Sequence, residues 1–140
     1  MRYWDASAVV PLIIAETKSG WAHDRLAEDD RIITWAWTRT EIVSAIERRT
    51  REEALTRLQR RNLLRQFDAF ASHWDEVTDI LAVRVRANLL LARHSLRAAD
   101  AGQLAAAMLV QEQLSSPLTF VCLDQRLSIA AELEGLDVMP

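Results

Sequence analysis

Glycine, proline and cysteine are scarce in this chain: three, three and one among 140 residues. The glycines stand far apart, at Gly20, Gly102 and Gly135. That spacing leaves no phosphate-cradling loop and no dinucleotide fingerprint, both of which need clustered glycines so that backbone can approach a phosphate. No Gly-x-Ser-x-Gly elbow exists either, which removes the serine hydrolases built on that strained turn. The lone Cys122 excludes an internal disulfide and any Cys-rich zinc site, and its simplest setting is a reducing compartment. Lys18 is the only lysine. A phospho-accepting receiver domain, which needs a lysine late in the chain, is thereby excluded. An aspartyl-nucleophile phosphatase needs a second Asp two places after the first, and Asp5-Ala6-Ser7 lacks it. No apolar run approaches the ~18 to 20 residues of a membrane span, and the N-terminus is a poor secretory signal, so the expected location is the cytoplasm. There is no basic excess; the formal charge is −3, which gives no general attraction to nucleic acid.

Half of the residues are hydrophobic, a composition that supports one globular domain spanning 1–140 with its own core. Short apolar, β-rich runs occur at Arg2 to Trp4, Arg31 to Trp35, Glu76 to Val77 and Thr119 to Leu123. Helical periodicity fills the intervals: about Ser7 to Glu16, Trp21 to Glu28, Arg39 to Arg48, Glu53 to Ser72, Ile80 to His94, Ala99 to Leu114 and Gln125 to Glu134. Strands alternating with helices specify crossover units and a parallel sheet. The fold expected is α/β, a three-layer α/β/α sandwich with a short, mainly parallel sheet, in which helix outweighs strand. Leu136 to Met139 is a further short edge strand. Gly135 ends one helix, and Pro117 with the serines before it ends another. Gly102, in the first turn of an Ala-rich helix, costs about 1 kcal/mol relative to alanine. It reads either as a point of close backbone approach or as a tolerated imperfection.

Four acidic residues mark junctions where helices begin: Asp5, Glu41, Asp100 and Asp124. Each alone has a structural explanation. Thr38-x-x-Glu41 has capping-box spacing, Asp124 and Asp5 suit N-caps, and acids are favoured in helix first turns generally. Together they carry more weight, because a parallel α/β sheet gathers such junctions at its carboxyl edge, where these folds place their sites. Two carboxylates ~5 Å apart repel by about 3 kcal/mol at an effective dielectric near 20. Such a cluster must take up protons or a cation. All the donors are oxygens, which points to Mg²⁺ or Mn²⁺ rather than Zn²⁺ and, through the preference of those ions for phosphate, to a phosphate or phosphodiester substrate. His23, His73 and His94 are scattered through helical stretches and read as ordinary polar residues.

The blocks Tyr3-Trp4-Asp5-Ala6-Ser7, Thr40-Glu41-Ile42-Val43-Ser44, Leu96-Arg97-Ala98-Ala99-Asp100-Ala101 and Val121-Cys122-Leu123-Asp124-Gln125 resemble the four acidic blocks of PIN-domain ribonucleases, most closely the VapC-type toxins of toxin–antitoxin pairs. The resemblance spans essentially the whole chain in order and spacing. It implies a PIN-like fold in which Asp5, Glu41, Asp100 and Asp124 hold Mg²⁺ or Mn²⁺ and hydrolyse RNA phosphodiesters. It places Ser7 as a hydroxyl partner behind Asp5. It also implies a homodimer and a small antitoxin covering the first helices and the acidic groove, with Val9, Leu12, Ile13 and Trp21 as contact candidates. One departure is Cys122, where the family usually carries Thr or Ser, which puts the orientation of Asp124 in question.

Arg57, Arg61 and Arg65 fall on one helical stripe and are candidates for an RNA-binding rim; a solvated face paired with Glu52 and Glu53 is the other reading. The five tryptophans read mostly as core or interface residues rather than base-stacking platforms. Two further functions stay open: a catalytically silent PIN-like module that binds a partner protein, and a PIN nuclease in RNA processing without an antitoxin.

Overall fold

A computed structural model describes residues 1–139. Its strands are β1 (Arg2–Trp4), β2 (Ile32–Trp35), β3 (Asp75–Val77), β4 (Thr119–Val121) and β5 (Asp137–Met139). They form one parallel sheet in the order β3-β2-β1-β4-β5. The helices are α1 (Ala6–Ile13), α2 (Ser19–Glu28), α3 (Thr38–Arg51), α4 (Arg57–Ala71), α5 (Ile80–Arg93), α6 (Ala98–Gln111) and α7 (Gln125–Leu133).

The central strands explain the layering. Tyr3 and Phe120 point to one face and stack with ring centroids 5.4 Å apart, in a core completed by Leu104 and Leu127. Their neighbours Trp4 and Val121 point to the other face and pack with Val9, Ile42, Ile46 and Phe67. Adjacent strand residues thus serve opposite cores, as the two-residue period of a strand requires. Each large side chain buried this way contributes about 1.5–3 kcal/mol. That is why β1 and β4, apolar on both faces, take the middle of the sheet. The edge strands β3 and β5 each begin with an exposed aspartate, Asp75 and Asp137.

Three local features depart from the periodicity. Helix α1 stops at Ile13, not Glu16, because Ile14 turns to extended backbone and buries its side chain in the second core. The long helix expected from Glu53 begins only at Arg57. A capping box does this: Thr56 Oγ1 accepts from Gln59 N at 3.1 Å, and Gln59 Oε1 accepts from Thr56 N at 2.8 Å. Glu53 makes the preceding turn at φ 59°, in the left-handed region. Thr38 is not the cap of α3 but its first residue, fully buried, and Trp37 occupies the cap position without a side-chain bond. Glu41 is consequently free of the helix terminus. At the other end of the chain α7 closes as expected, with Gly135 at φ +88° and Leu136 N donating to Ala131 O at 3.0 Å.

Candidate active site

The strand order reverses at the centre of the sheet, with β2 on one side of β1 and β4 on the other. Chains leaving the carboxyl ends of β1 and β4 diverge there and open a crevice. Asp5 directly follows β1 and caps α1 from an almost fully buried position, 3% exposed. Its Oδ2 accepts from Ser7 N at 3.1 Å and its Oδ1 from Ser7 Oγ at 2.7 Å. Ser7 Oγ in turn accepts from Leu123 N at 2.9 Å, so this one hydroxyl ties the end of β1 to the end of β4.

Glu41 lies in the first turn of α3 and is held from across the groove. Gln103, fully buried on α6, donates through Nε2 to Glu41 Oε2 and to Thr38 Oγ1, the latter at 2.9 Å. Its Oε1 accepts from Tyr3 Oη at 2.8 Å. Thr38 and Thr34 share a hydroxyl contact of 2.8 Å, and the carbonyl of Trp4 accepts from Thr34 at 2.6 Å. A satisfied polar chain therefore runs from β1 through β2 to the acidic edge, and such a network fixes a side chain far more tightly than solvent does. Gln103 belongs to the Asp100 block, one helical turn after Asp100, but its spacing gave no hint of this role. The available signal was a glutamine inside an otherwise apolar, Ala-rich helix.

Asp100 and Asp124 form the open half. Asp100, in the first turn of α6, receives Arg97 Nε at 3.4 Å. Asp124 caps α7, its Oδ1 accepting from Leu127 N at 2.9 Å. Both line a cavity of about 420 Å³ together with Arg97, Gln125 and Arg126. The helix cap orients the Asp124 carboxylate, and Cys122 touches only the backbone there: its Sγ donates to the carbonyl of Asp124 at 3.4 Å and lies 3.8 Å from Ser7 Oγ. The departure at Cys122 is thus accommodated. Burial, followed by the Asp5 charge, pushes its thiol up to about 12, which keeps it neutral and unreactive.

Electrostatics couple the acids. Burial chiefly, and then the Asp100 charge, raise Asp5 to about 6 against the opposing bonds from Ser7. Burial raises Glu41 to about 7, with Asp5 and Asp100 adding to it and the Gln103 bond opposing. The Asp100 charge thus reaches both Asp5 and Glu41, and Asp124 lines the same cavity as Asp100. An all-oxygen donor set that resists full ionisation is chemically suited to a hard divalent cation. Among the described residues, however, no three His, Cys, Asp or Glu side chains converge into a finished metal cage.

The remaining candidates lie elsewhere. Arg57, Arg61 and Arg65 are exposed along α4 and line no part of the Asp100–Asp124 cavity. The ion pair of this helix uses Arg60 with Glu47 at 2.7 Å. The arginines at the cavity itself, Arg97 and Arg126, look in the sequence like ordinary helix-start residues until the fold brings them together. Val9 is fully buried, and Leu12, Ile13 and Trp21 pack half-buried against the second core. No helix among the described residues is long and apolar enough to cross a membrane.

No family model matches the chain, and no curated protein matches it in sequence. Among solved structures it is similar to that of FitAcB from Neisseria gonorrhoeae, with a TM-score of 0.61 and 17% identity, covering 100% of this chain and 97% of that one. The likeness is one of fold: the chain has the PIN-like, three-layer α/β/α architecture with a wholly parallel sheet.

Proposed function

We propose that this chain is a Mg²⁺- or Mn²⁺-dependent endoribonuclease that acts as the toxin of a toxin–antitoxin pair. The observation that supports the reading is that the charges of Asp5 and Asp100 reach Glu41 and that of Asp100 reaches Asp5, while Asp100 and Asp124 line one cavity. Asp5, Glu41, Asp100 and Asp124 would hold the cation. When bound, it lowers the pKa of a coordinated water and neutralises charge developing on the phosphoryl oxygens. The protein residues do the rest. Ser7 keeps both oxygens of Asp5 directed by two short bonds. Glu41, held by Gln103 beside the place the cation would take, is positioned to orient an attacking water or to accept its proton. Gln103 fixes which oxygen of Glu41 is engaged. Arg97 and Arg126 stand at the rim, where guanidinium groups draw in and align a phosphodiester.

RNA as the polymer and an antitoxin as the partner rest on the resemblance of the four acidic blocks. A homodimer has a surface in its favour: Leu81, Val85 and Leu89 form an apolar stripe on α5, each more than half exposed. The second reading, a silent PIN-like binding module, is favoured by one observation, the absence of a finished cage among the described residues. A single experiment separates the two. Purified protein is incubated with structured bacterial RNA in Mg²⁺ or Mn²⁺, beside a chelator control and Asp100→Asn. Discrete cleavage that needs both the cation and Asp100 supports the nuclease. Absence of cleavage from folded, cation-supplied protein across transfer and ribosomal RNA would favour the binding module.

A further inference from the structure

Beside the acidic crevice lies a second cavity, of about 400 Å³, between the start of α3 and the facing sides of α5 and α6. It is lined by Trp35, Trp37, the buried Gly102, the aliphatic side chains of Ile80 and Leu91, and the polar Arg84 and Asn88. Three features are hard to explain by folding. Trp37 is 58% exposed, so its indole contributes little to either core. Gly102 sits inside α6, where glycine weakens a helix. Yet packing does not demand it: the nearest atom to an added Cβ is Trp35 Nε1 at 3.5 Å, ordinary contact distance. Arg84 and Asn88 are exposed, with side chains available to a ligand.

The cavity is continuous with the carboxylates through the chain itself. Trp37 caps the helix that carries Glu41, and Glu41 N donates to Trp37 O at 3.1 Å. Ala99 directly precedes Asp100 in the first turn of α6, and Gly102 follows in the next turn. The cavity thus adjoins the two helix starts that carry Glu41 and Asp100, and its Ala98 and Ala99 stand next in the chain to Arg97 and Asp100 of the acidic cavity. A flat face (Trp37), a floor without Cβ (Gly102), an indole N–H near that floor (Trp35) and a cation with an amide at the side form the complement of a planar base with polar edges.

We infer that the Trp35–Trp37–Gly102 cavity is a nucleobase pocket, which stacks one unpaired base of the RNA strand on Trp37 and positions the adjoining phosphodiester over the carboxylates. The inference rests on the nuclease reading and adds to it: the substrate is single-stranded at this nucleotide, and Arg84 and Asn88 contact its edge or phosphate. Trp37 is then a positioning residue that acts on substrate binding.

The test measures binding and cleavage separately. Binding is read by fluorescence anisotropy in the Asp100→Asn background with Mg²⁺, using a labelled single-stranded decaribonucleotide of mixed sequence and matched oligomers bearing abasic sites. Trp37→Ala weakens binding of the intact oligomer about tenfold, and Trp37→Phe restores most of it. Abasic oligomers bind the unmodified pocket as weakly as intact ones bind Trp37→Ala, so the two losses do not add. In the cleaving protein Trp37→Ala raises KM and leaves kcat nearly unchanged. Gly102→Ala, a change the fold accommodates, weakens binding in the same direction and guards against misfolding as the cause. Unchanged binding in both variants, with loss on Arg97→Ala and Arg126→Ala, would overturn the pocket and leave the nuclease standing. Trp37→Ala that dissociates a dimer while RNA affinity holds would make this surface a contact between copies and overturn it too. Protein that neither binds nor cleaves any RNA removes the nuclease reading, and the pocket with it.

Discussion

The two halves of the acidic edge are built on opposite principles. Asp5 and Glu41 sit among packed elements and are held by named donors, Ser7 and Gln103, in a network that continues to Tyr3 and Thr34. Asp100 and Asp124 face an open cavity whose other walls carry Arg97 and Arg126. The first pair is held by buried or partly buried side-chain donors; in the second, Asp124 is tied only by its helix cap and Asp100 only by Arg97, and both line the open cavity. Orientation and adaptability are both needed for a site that must take in a cation and a phosphate. Dividing them between two pairs lets the buried half define the geometry while the open half adjusts.

The sharpest way to break that contrast is to neutralise one acid from each half. Asp5→Asn and Asp100→Asn should each lower metal-dependent cleavage by about 10³-fold or more, measured under single turnover. Their stabilities should diverge. Asp5→Asn removes a buried charge but leaves one of the two Ser7 donors facing an amide NH2, so its stability relative to the parent should be most favourable at pH 8 and fall by about 1–3 kcal/mol towards pH 4, in denaturant titrations. Asp100→Asn, which loses only an exposed contact with Arg97, should stay within about 0.5 kcal/mol. Equal stability changes would refute the division into buried and open halves.

Acidity tests the buried half by itself. In the folded protein Asp5 and Glu41 keep their protons up to about 6 and about 7, whereas the unfolded chain releases them near 3.8 and 4.5. The folded state thus binds more protons across that window, and stability must fall as pH rises from about 4 to about 7. Above that range both groups are ionised in both states and the contribution is flat. Urea unfolding in chelator at pH 4, 5.5 and 7.5 reads this decline directly. Mg²⁺ binds the ionised acids, so it should flatten the decline and stabilise most above pH 7. Stability that climbs over the same range would contradict the buried state of these carboxyls.

Two smaller perturbations sharpen the picture. Ser7→Ala deprives Asp5 of its hydroxyl donor and Leu123 N of its acceptor, at a cost of about 1–3 kcal/mol by thermal or chemical unfolding. An unchanged midpoint would show that the strand-end tie through Ser7 is dispensable. Gly102→Ala should stabilise by about 1 kcal/mol, because the helix gains propensity and the new Cβ meets only Trp35 Nε1 at contact distance. Destabilisation would mean that the space above Gly102 is needed by the fold and not kept for a ligand.

Much of this architecture was legible in the chain. The apolar runs at Arg2 to Trp4 and Thr119 to Leu123 read as buried strands, the second ending in the structure at Val121, and their alternation with helical periods pointed to a parallel sheet. Asp5 and Asp124 were readable as caps because capping is a local matter of a few backbone bonds. Local reasoning failed where two local explanations competed. Thr38 and Glu41 had the spacing of a capping box, but both were claimed by Gln103, 65 and 62 residues further on. The box that does form uses Thr56 and Gln59, which start α4 four residues later than periodicity suggested.

The sequence by itself determined the elements, the layer type and the oxygen-only character of the acidic set, because those follow from side-chain chemistry and short-range periodicity. Tertiary structure alone decided which acids are buried, that Gln103 rather than a helix terminus holds Glu41, that Arg97 and Arg126 meet at one cavity, and that Trp37 stays in solvent while Trp4 does not. Each of these depends on contacts between segments far apart in the chain. Burial and electrostatic coupling arise only when the fold brings such segments within a few ångströms of one another.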